Sequence, residues 1–259
     1  MSPPIALSNA TYDWLEYALE PLTPNDFPTA DQVTRRLTIY DGQMFTDTYI
    51  YGLNGLQWND SSPPYPGDTP YLVNIYENGQ ATIPSMAAAL NNSGWDPTTY
   101  TWPAQIGEVL QIIWVKTGSI VQDNGGVDYH PFHAHGGHYY DIGSGNRSYD
   151  ATANEEKLKG YNPAMRDTTN LYQYTAYTIP GADAGWRGWR LRVQDAGVWM
   201  MHCHILQHMI MGMQTVWVMG AYDQTAVIPH YDAAGYLDFG GSAYGNETFA
   251  PSYVHQFGD

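Results

Sequence analysis

Cysteine is nearly absent: Cys203 is the one thiol in a chain of 259 residues. No intrachain disulfide can form, so the thiol has to be explained by its neighbours. Positive charge is scarce as well, with ten Lys and Arg against 26 Asp and Glu and a formal net charge of −16. A surface of that sign repels phosphate backbones and anionic headgroups, which excludes nucleic acid as a partner. Long apolar runs are also missing. The nearest candidate for a membrane span, residues 198–219, carries three His, one Cys and two Gln, so no membrane segment is expected. The opening stretch MSPPIALSNATYDW lacks the basic and then apolar pattern of a secretory leader.

Against these absences stand five Asn-x-Ser/Thr sequons, at Asn9, Asn59, Asn91, Asn146 and Asn246, where chance would give roughly two. A secreted glycoprotein whose own N-terminus has been lost is the expectation. Gly (26), Pro (17), Tyr (22) and Trp (9) are abundant, a mixture suited to strands joined by turns. RRLTIYD, TDTYIYGL, YLVNIYEN, VLQIIWVKTG, AYTIP, WRLRVQD and QTVWVMG are short β-branched and aromatic runs separated by turn clusters. They predict an all-β sandwich or barrel. Brief helices are expected at Tyr12 to Leu19, in SMAAALNN, in NEEKLKG and in HILQHMIMG. Residues 1–33 read as a connector, 34–220 as the structured domain and 221–259 as an extension in extended coil.

Seven of the nine histidines fall in two windows. HPFHAHGGH holds His130, His133, His135 and His138, and HCHILQH holds His202, His204 and His208. On a strand, residues i and i+2 share a face and i+1 points the other way. His133 and His135 therefore project together, as do His202 and His204, while Cys203 faces the opposite side. A thiolate with two imidazoles and a weak thioether is the donor set of a blue-copper centre. Cys203, His208 and Met213 stand five residues apart, with Gly212 allowing the turn that brings Met213 in axially and His130 as the second imidazole. Zinc also accepts Cys and His, but it would leave the two His-x-His pairs without a purpose.

HPFHAHG followed about 70 residues later by DAGVWMMHCHILQHMIMGM resembles the two C-terminal copper signatures of the multicopper oxidases, the group of laccases, ascorbate oxidases and ferroxidases. TRRLTIYDGQ, LNGLQW, Arg166 to Thr168 and Asp195 to Trp199 extend the likeness over most of a third cupredoxin domain, a Greek-key β-sandwich or barrel. GGHYYDIGSGNRSYD and GYNPAMRDTTNLY are most similar to fungal ascorbate-oxidase-like and laccase-like members. The resemblance implies type 1 copper on His130, Cys203, His208 and axial Met213. It implies a type 2 ligand in His133, and type 3 ligands in His135, His202 and His204.

The family's trinuclear cluster needs eight histidines, and this chain supplies four. The resemblance implies that the rest come from an N-terminal part, expected here as a separate associated chain. It also implies that a small reducing substrate, ascorbate or a phenol, gives single electrons at His208 or His130. These pass through Cys203 to His202 and His204, where dioxygen becomes water. Met213, where some laccases carry Leu or Phe, implies a low to moderate potential. Gly137 stands where many members carry another His. Two alternatives are a blue-copper electron carrier using the type 1 set alone and a ferroxidase drawing on acidic residues.

Overall fold

The computed structural model describes residues 19–58, 69–120, 129–146, 148–172 and 179–237. The helix expected at Tyr12 to Leu19 lies outside them but for Leu19, as does most of the strand expected at residues 176–180.

Eleven strands are present among the described residues: β1 Arg35–Phe45, β2 Tyr49–Leu53, β3 Trp102–Ala104, β4 Val109–Thr117, β5 Tyr129–Ala134, β6 Tyr139–Gly145, β7 Met165–Arg166, β8 Thr168–Tyr172, β9 Asp183–Arg192, β10 Gly197–Cys203 and β11 Gln214–Met219. They form a six-stranded sheet of order β2-β1-β4-β9-β6-β7 and a five-stranded sheet of order β3-β11-β10-β5-β8. From β3 onward the chain crosses repeatedly from one sheet to the other, so the two layers are woven rather than stacked. Two parallel pairs, β1 with β4 and β3 with β11, accompany the antiparallel ladders.

Alternation of side chains puts the core between the layers. Along β1, Arg35, Leu37, Ile39 and Asp41 are buried while Arg36, Thr38 and Tyr40 are exposed, the period of two expected of a strand with one wet face. The inward residues meet Trp114 and Trp189 of their own sheet and Phe132, Met201, Cys203 and Trp217 of the other. Four indoles (Trp102, Trp114, Trp189 and Trp217) are wholly buried there.

Six short α-helices among the described residues decorate the sandwich: α1 Tyr71–Asn78, α2 Met86–Leu90, α3 Ala151–Leu158, α4 Leu206–Ile210, α5 Tyr222–Thr225 and α6 His230–Leu237. Helices α2, α3 and α4 fall where the sequence predicts them. α1 corrects the strand expected for YLVNIYEN: Pro70 precedes it, and Gly79 ends it at φ 68, the proline-in, glycine-out bracket of a helix. Its Tyr71 and Ile75 pack with Trp58, Val216 and Val218 outside the main core. α5 and α6 correct the extended coil expected after Ala221. Pro229 begins the second of them, its carbonyl accepting from Asp232 N and Ala233 N.

Candidate metal centre

β5 and β10 are hydrogen-bonded neighbours, with His202 opposite His133 and Cys203 opposite Phe132. Because the two strands share one pleat, their inward residues meet in the core and their outward residues meet on the far side. His130, Phe132 and Ala134 of β5 and Met201 and Cys203 of β10 are buried. His133, His135 and His204 reach the outer surface.

On the inner side, Cys203 Sγ lies 3.8 Å from His130 Nδ1 and 3.9 Å from His208 Nδ1, and the two imidazole nitrogens are 3.1 Å apart. Donor–metal bonds of about 2.0–2.3 Å span separations of this size, so the three atoms fit around one ion. Cys203 and His130 have no exposed surface, and His208 is half-buried. His208 comes from α4, which follows the strand directly. The chain then doubles back: Gly212, at φ 111, hands on to Met213, whose amide donates to His208 O and whose carbonyl accepts from Cys203 N. Met213 is fully buried beside Cys203 in the main core. The Ile205 amide donates to Cys203 Sγ at 3.4 Å, a contact that favours the thiolate, the form that binds metal.

On the outer side, the rings of His133, His135, His202 and His204 form one cluster with centroids 5.0 to 5.8 Å apart between neighbours. His202 Nδ1 lies 2.9 Å from Cys203 O, and His133 Nδ1 lies 2.9 Å from Asp167 O and 3.1 Å from Thr168 Oγ1. A carbonyl can only accept, so both rings carry their proton on Nδ1 and present the Nε2 lone pair to a metal. His135 Nε2 and His202 Nε2 approach to 3.2 Å. Burial, and next the neighbouring His133 and His204, holds the His135 pKa below the ordinary imidazole value. Burial does the same at His202, opposed by its hydrogen bond to Cys203 O. Neutral imidazoles are what a metal requires. Beside the cluster is an open, largely apolar cavity of about 480 Å³ lined by His135, Met200, His202, His204, Leu206 and Met209.

All eight residues singled out in the sequence thus fall into two groups on opposite faces of the same strand pair. One detail is corrected: His130 has no exposed edge, and of the two imidazoles only His208 is partly exposed. His138 and Asp141 take no part. His138 borders a separate cavity, and Asp141 is locked in a buried ion pair with Arg187.

Three contacts escape the sequence reading. The Tyr51 ring packs against His208 and His130, at 4.7 and 5.7 Å between centroids. Asp41 Oδ2 lies 3.2 Å from His130 Nε2, and Lys116 Nζ lies 3.5 Å from the same oxygen, all three side chains being inaccessible to solvent. The signal for Asp41 was the alternation in RRLTIYD, which sets it on the face of Leu37 and Ile39. Lys116 follows from the ladder, in which it is the β4 partner of Asp41.

The sequence model of the family described as multicopper oxidase matches residues 64–222. The chain belongs to the multicopper oxidase family. It is 48% identical to multicopper oxidase terE of Aspergillus terreus over 98% of this chain and 50% of that protein. Against laccase-like multicopper oxidase 1 of Thermothelomyces thermophilus the identity is 46%, over 100% of this chain and 40% of the relative. L-ascorbate oxidase of Cucumis sativus is 29% identical over 56% of this chain. The chain therefore spans half or less of the curated relatives it matches most fully. Among solved structures, Fet3p, a multicopper oxidase that functions in iron import, superposes with a TM-score of 0.52 at 19% identity. That match covers 84% of this chain and 37% of Fet3p, and it supports the cupredoxin fold. Membership of a multicopper oxidase family implies copper, and the soft thiolate–imidazole set on the inner face suits that metal.

Proposed function

We propose that this chain carries the type 1 copper site and half of the trinuclear site of an oxidase that couples one-electron oxidation of a small reducing substrate, ascorbate or a phenol, to four-electron reduction of dioxygen to water. The observation that carries the reading is the opposed placement of consecutive residues. Cys203 points inward to His130 and His208, while His202 and His204, one bond sequence away on either side, point outward to His133 and His135. Copper, when bound, supplies single-electron transfer at the inner group and oxygen chemistry at the outer one.

The chain's own residues do the rest. Among the described residues His208, half-buried on α4, offers the route from the surface to the inner group, since His130 and Cys203 are buried. Cys203 then links inner and outer groups through a few covalent bonds, a path far shorter than any through packed side chains. Met213, buried next to Cys203, would offer a weak thioether donor to a bound copper, the kind of ligand that tunes the potential of such a site. His133 serves the type 2 position, and His135, His202 and His204 the type 3 positions. A one-site electron carrier would leave this outer cluster without use.

Four histidines with an open apolar cavity beside them are half of a cluster. An N-terminal part of the same oxidase, associated as a separate chain, would bring the other half and cover Leu206, 63% exposed at the cavity wall. An extracellular setting goes with this reading, and of the five sequons Asn91 and Asn146 are exposed; removal of glycans by a glycosidase should lower the mass of the protein from its natural source. The direct test is Cys203→Ser in the copper-loaded protein. The blue charge-transfer band should vanish, and oxygen consumption with ascorbate or a phenol should stop. A blue variant, or one that still turns over, overturns the assignment.

A further inference from the structure

Asp41 and Lys116 are buried charges that the proposed chemistry does not use. Paired residues of opposite sign inside a protein seldom stabilise it more than an apolar pair of equal size would. The neighbours on the same face are apolar, with Ile39 two residues back on β1 and Trp114 two residues back on β4. Asp41 Oδ2 reaches across from the six-stranded sheet to His130 Nε2 at 3.2 Å. Lys116 stands 3.5 Å behind the same oxygen and 5.9 Å from the Tyr51 ring centroid. Thr117 Oγ1 donates to the Asp41 carbonyl at 2.7 Å, which fixes the strand that carries the carboxylate.

We propose that Asp41 and Lys116 are positioning residues for the type 1 site, which act through His130 and set its reduction potential by opposing charges. This rests on the type 1 reading of Cys203, His130 and His208. A carboxylate against Nε2 favours the tautomer with its proton there, and so leaves the Nδ1 lone pair aimed at the position between Cys203 and His208. It also pushes electron density through the ring, making Nδ1 a stronger donor. A stronger donor and a nearby negative charge both favour the more oxidised, more positive metal state and lower the potential. Lys116 partly cancels that charge and raises it. With no solvent between them, neither effect is screened as it would be at the surface. Asp41 Oδ2 stands against the ring nitrogen at 3.2 Å, with Lys116 Nζ 3.5 Å from that oxygen, so the Asp41 effect is the larger.

The test compares wild type, Asp41→Asn, Lys116→Met and the double variant, all as copper-loaded holoprotein. The readouts are the potential from redox titration of the blue band, the copper hyperfine splitting by electron paramagnetic resonance, and the melting temperature of each copper-free protein. Asp41→Asn should raise the potential, Lys116→Met should lower it, and the double variant should lie above wild type. A role confined to stability would lower melting temperatures and leave the potentials together. The same follows if both single variants shift in one direction; either result overturns the proposal. The double variant leaves no lone buried ion, so it keeps the test decisive if a single variant does not fold: a potential equal to wild type contradicts the assignment. A wild-type protein with no blue band defeats the type 1 reading itself, whereas a blue wild type indifferent to both substitutions defeats only the role of the pair.

Discussion

Met213 shows how much chemistry rests on one side chain. It is buried against Cys203, and the hydrogen bonds of its own amide and carbonyl to His208 and Cys203 hold it there. Met213→Leu keeps the packing volume close and removes the thioether donor. The type 1 potential should rise with the blue band retained, as measured by redox titration; an unchanged potential would mean that the sulfur is not a ligand. At this scale the grouping of these side chains was legible in the sequence, because metal donors are rare residue types and their i, i+2 spacing on a strand fixes which share a face. Asp41 and Lys116 were not legible in the same way. A charge near the end of an apolar run ordinarily means a solvated position; alternation in RRLTIYD was the one mark of Asp41, and Lys116 is set inside only by its place opposite Asp41. Tyr51 was hidden for a related reason: one of 22 tyrosines carries no mark of its own until β2 is placed next to α4.

Elements position these residues through turns that tolerate little change. Gly212 ends the passage from α4 into β11 at φ 111, and a Cβ there would stand 2.5 Å from Tyr51 O and clash with the Gln57 side chain. Gly212→Ala should cost about 1–3 kcal/mol from the backbone conformation alone, with more from the overlap, and it should displace Met213. Lower melting temperature together with an altered blue band is the expected outcome; a normal spectrum in a stable variant would contradict the role given to this turn. Most strands could be read from their alternation and their turn residues. YLVNIYEN could not, because Tyr71, Val73 and Ile75 alternate as in a strand and are all buried. The deciding marks were Pro70 and Gly79 at its ends. The helices after Ala221 carried weak periodicity because each is only about one or two turns long, α5 lying against β10 and α6 against α1.

For the whole molecule, the two sheets divide the labour. The six-stranded sheet delivers Asp41, Lys116 and Tyr51 to the inner group, and the five-stranded sheet together with α4 carries the histidines of both groups. On the proposed function the inner group is complete within this chain and the outer one is half of a cluster, so the two should respond differently to their surroundings. Removing copper with a chelator and adding it back to the chain without its N-terminal partner should restore the blue band but no oxygen consumption. Recovery of oxygen consumption by the chain alone would show that four histidines suffice. The most direct test of the account is the copper content of the oxidase as isolated, with a denaturing gel of the same sample to show its polypeptides. The account predicts about four coppers for each 29.0 kDa chain, one of them in the soft thiolate site, and a second polypeptide on the gel. About one copper per chain with no second polypeptide would contradict it.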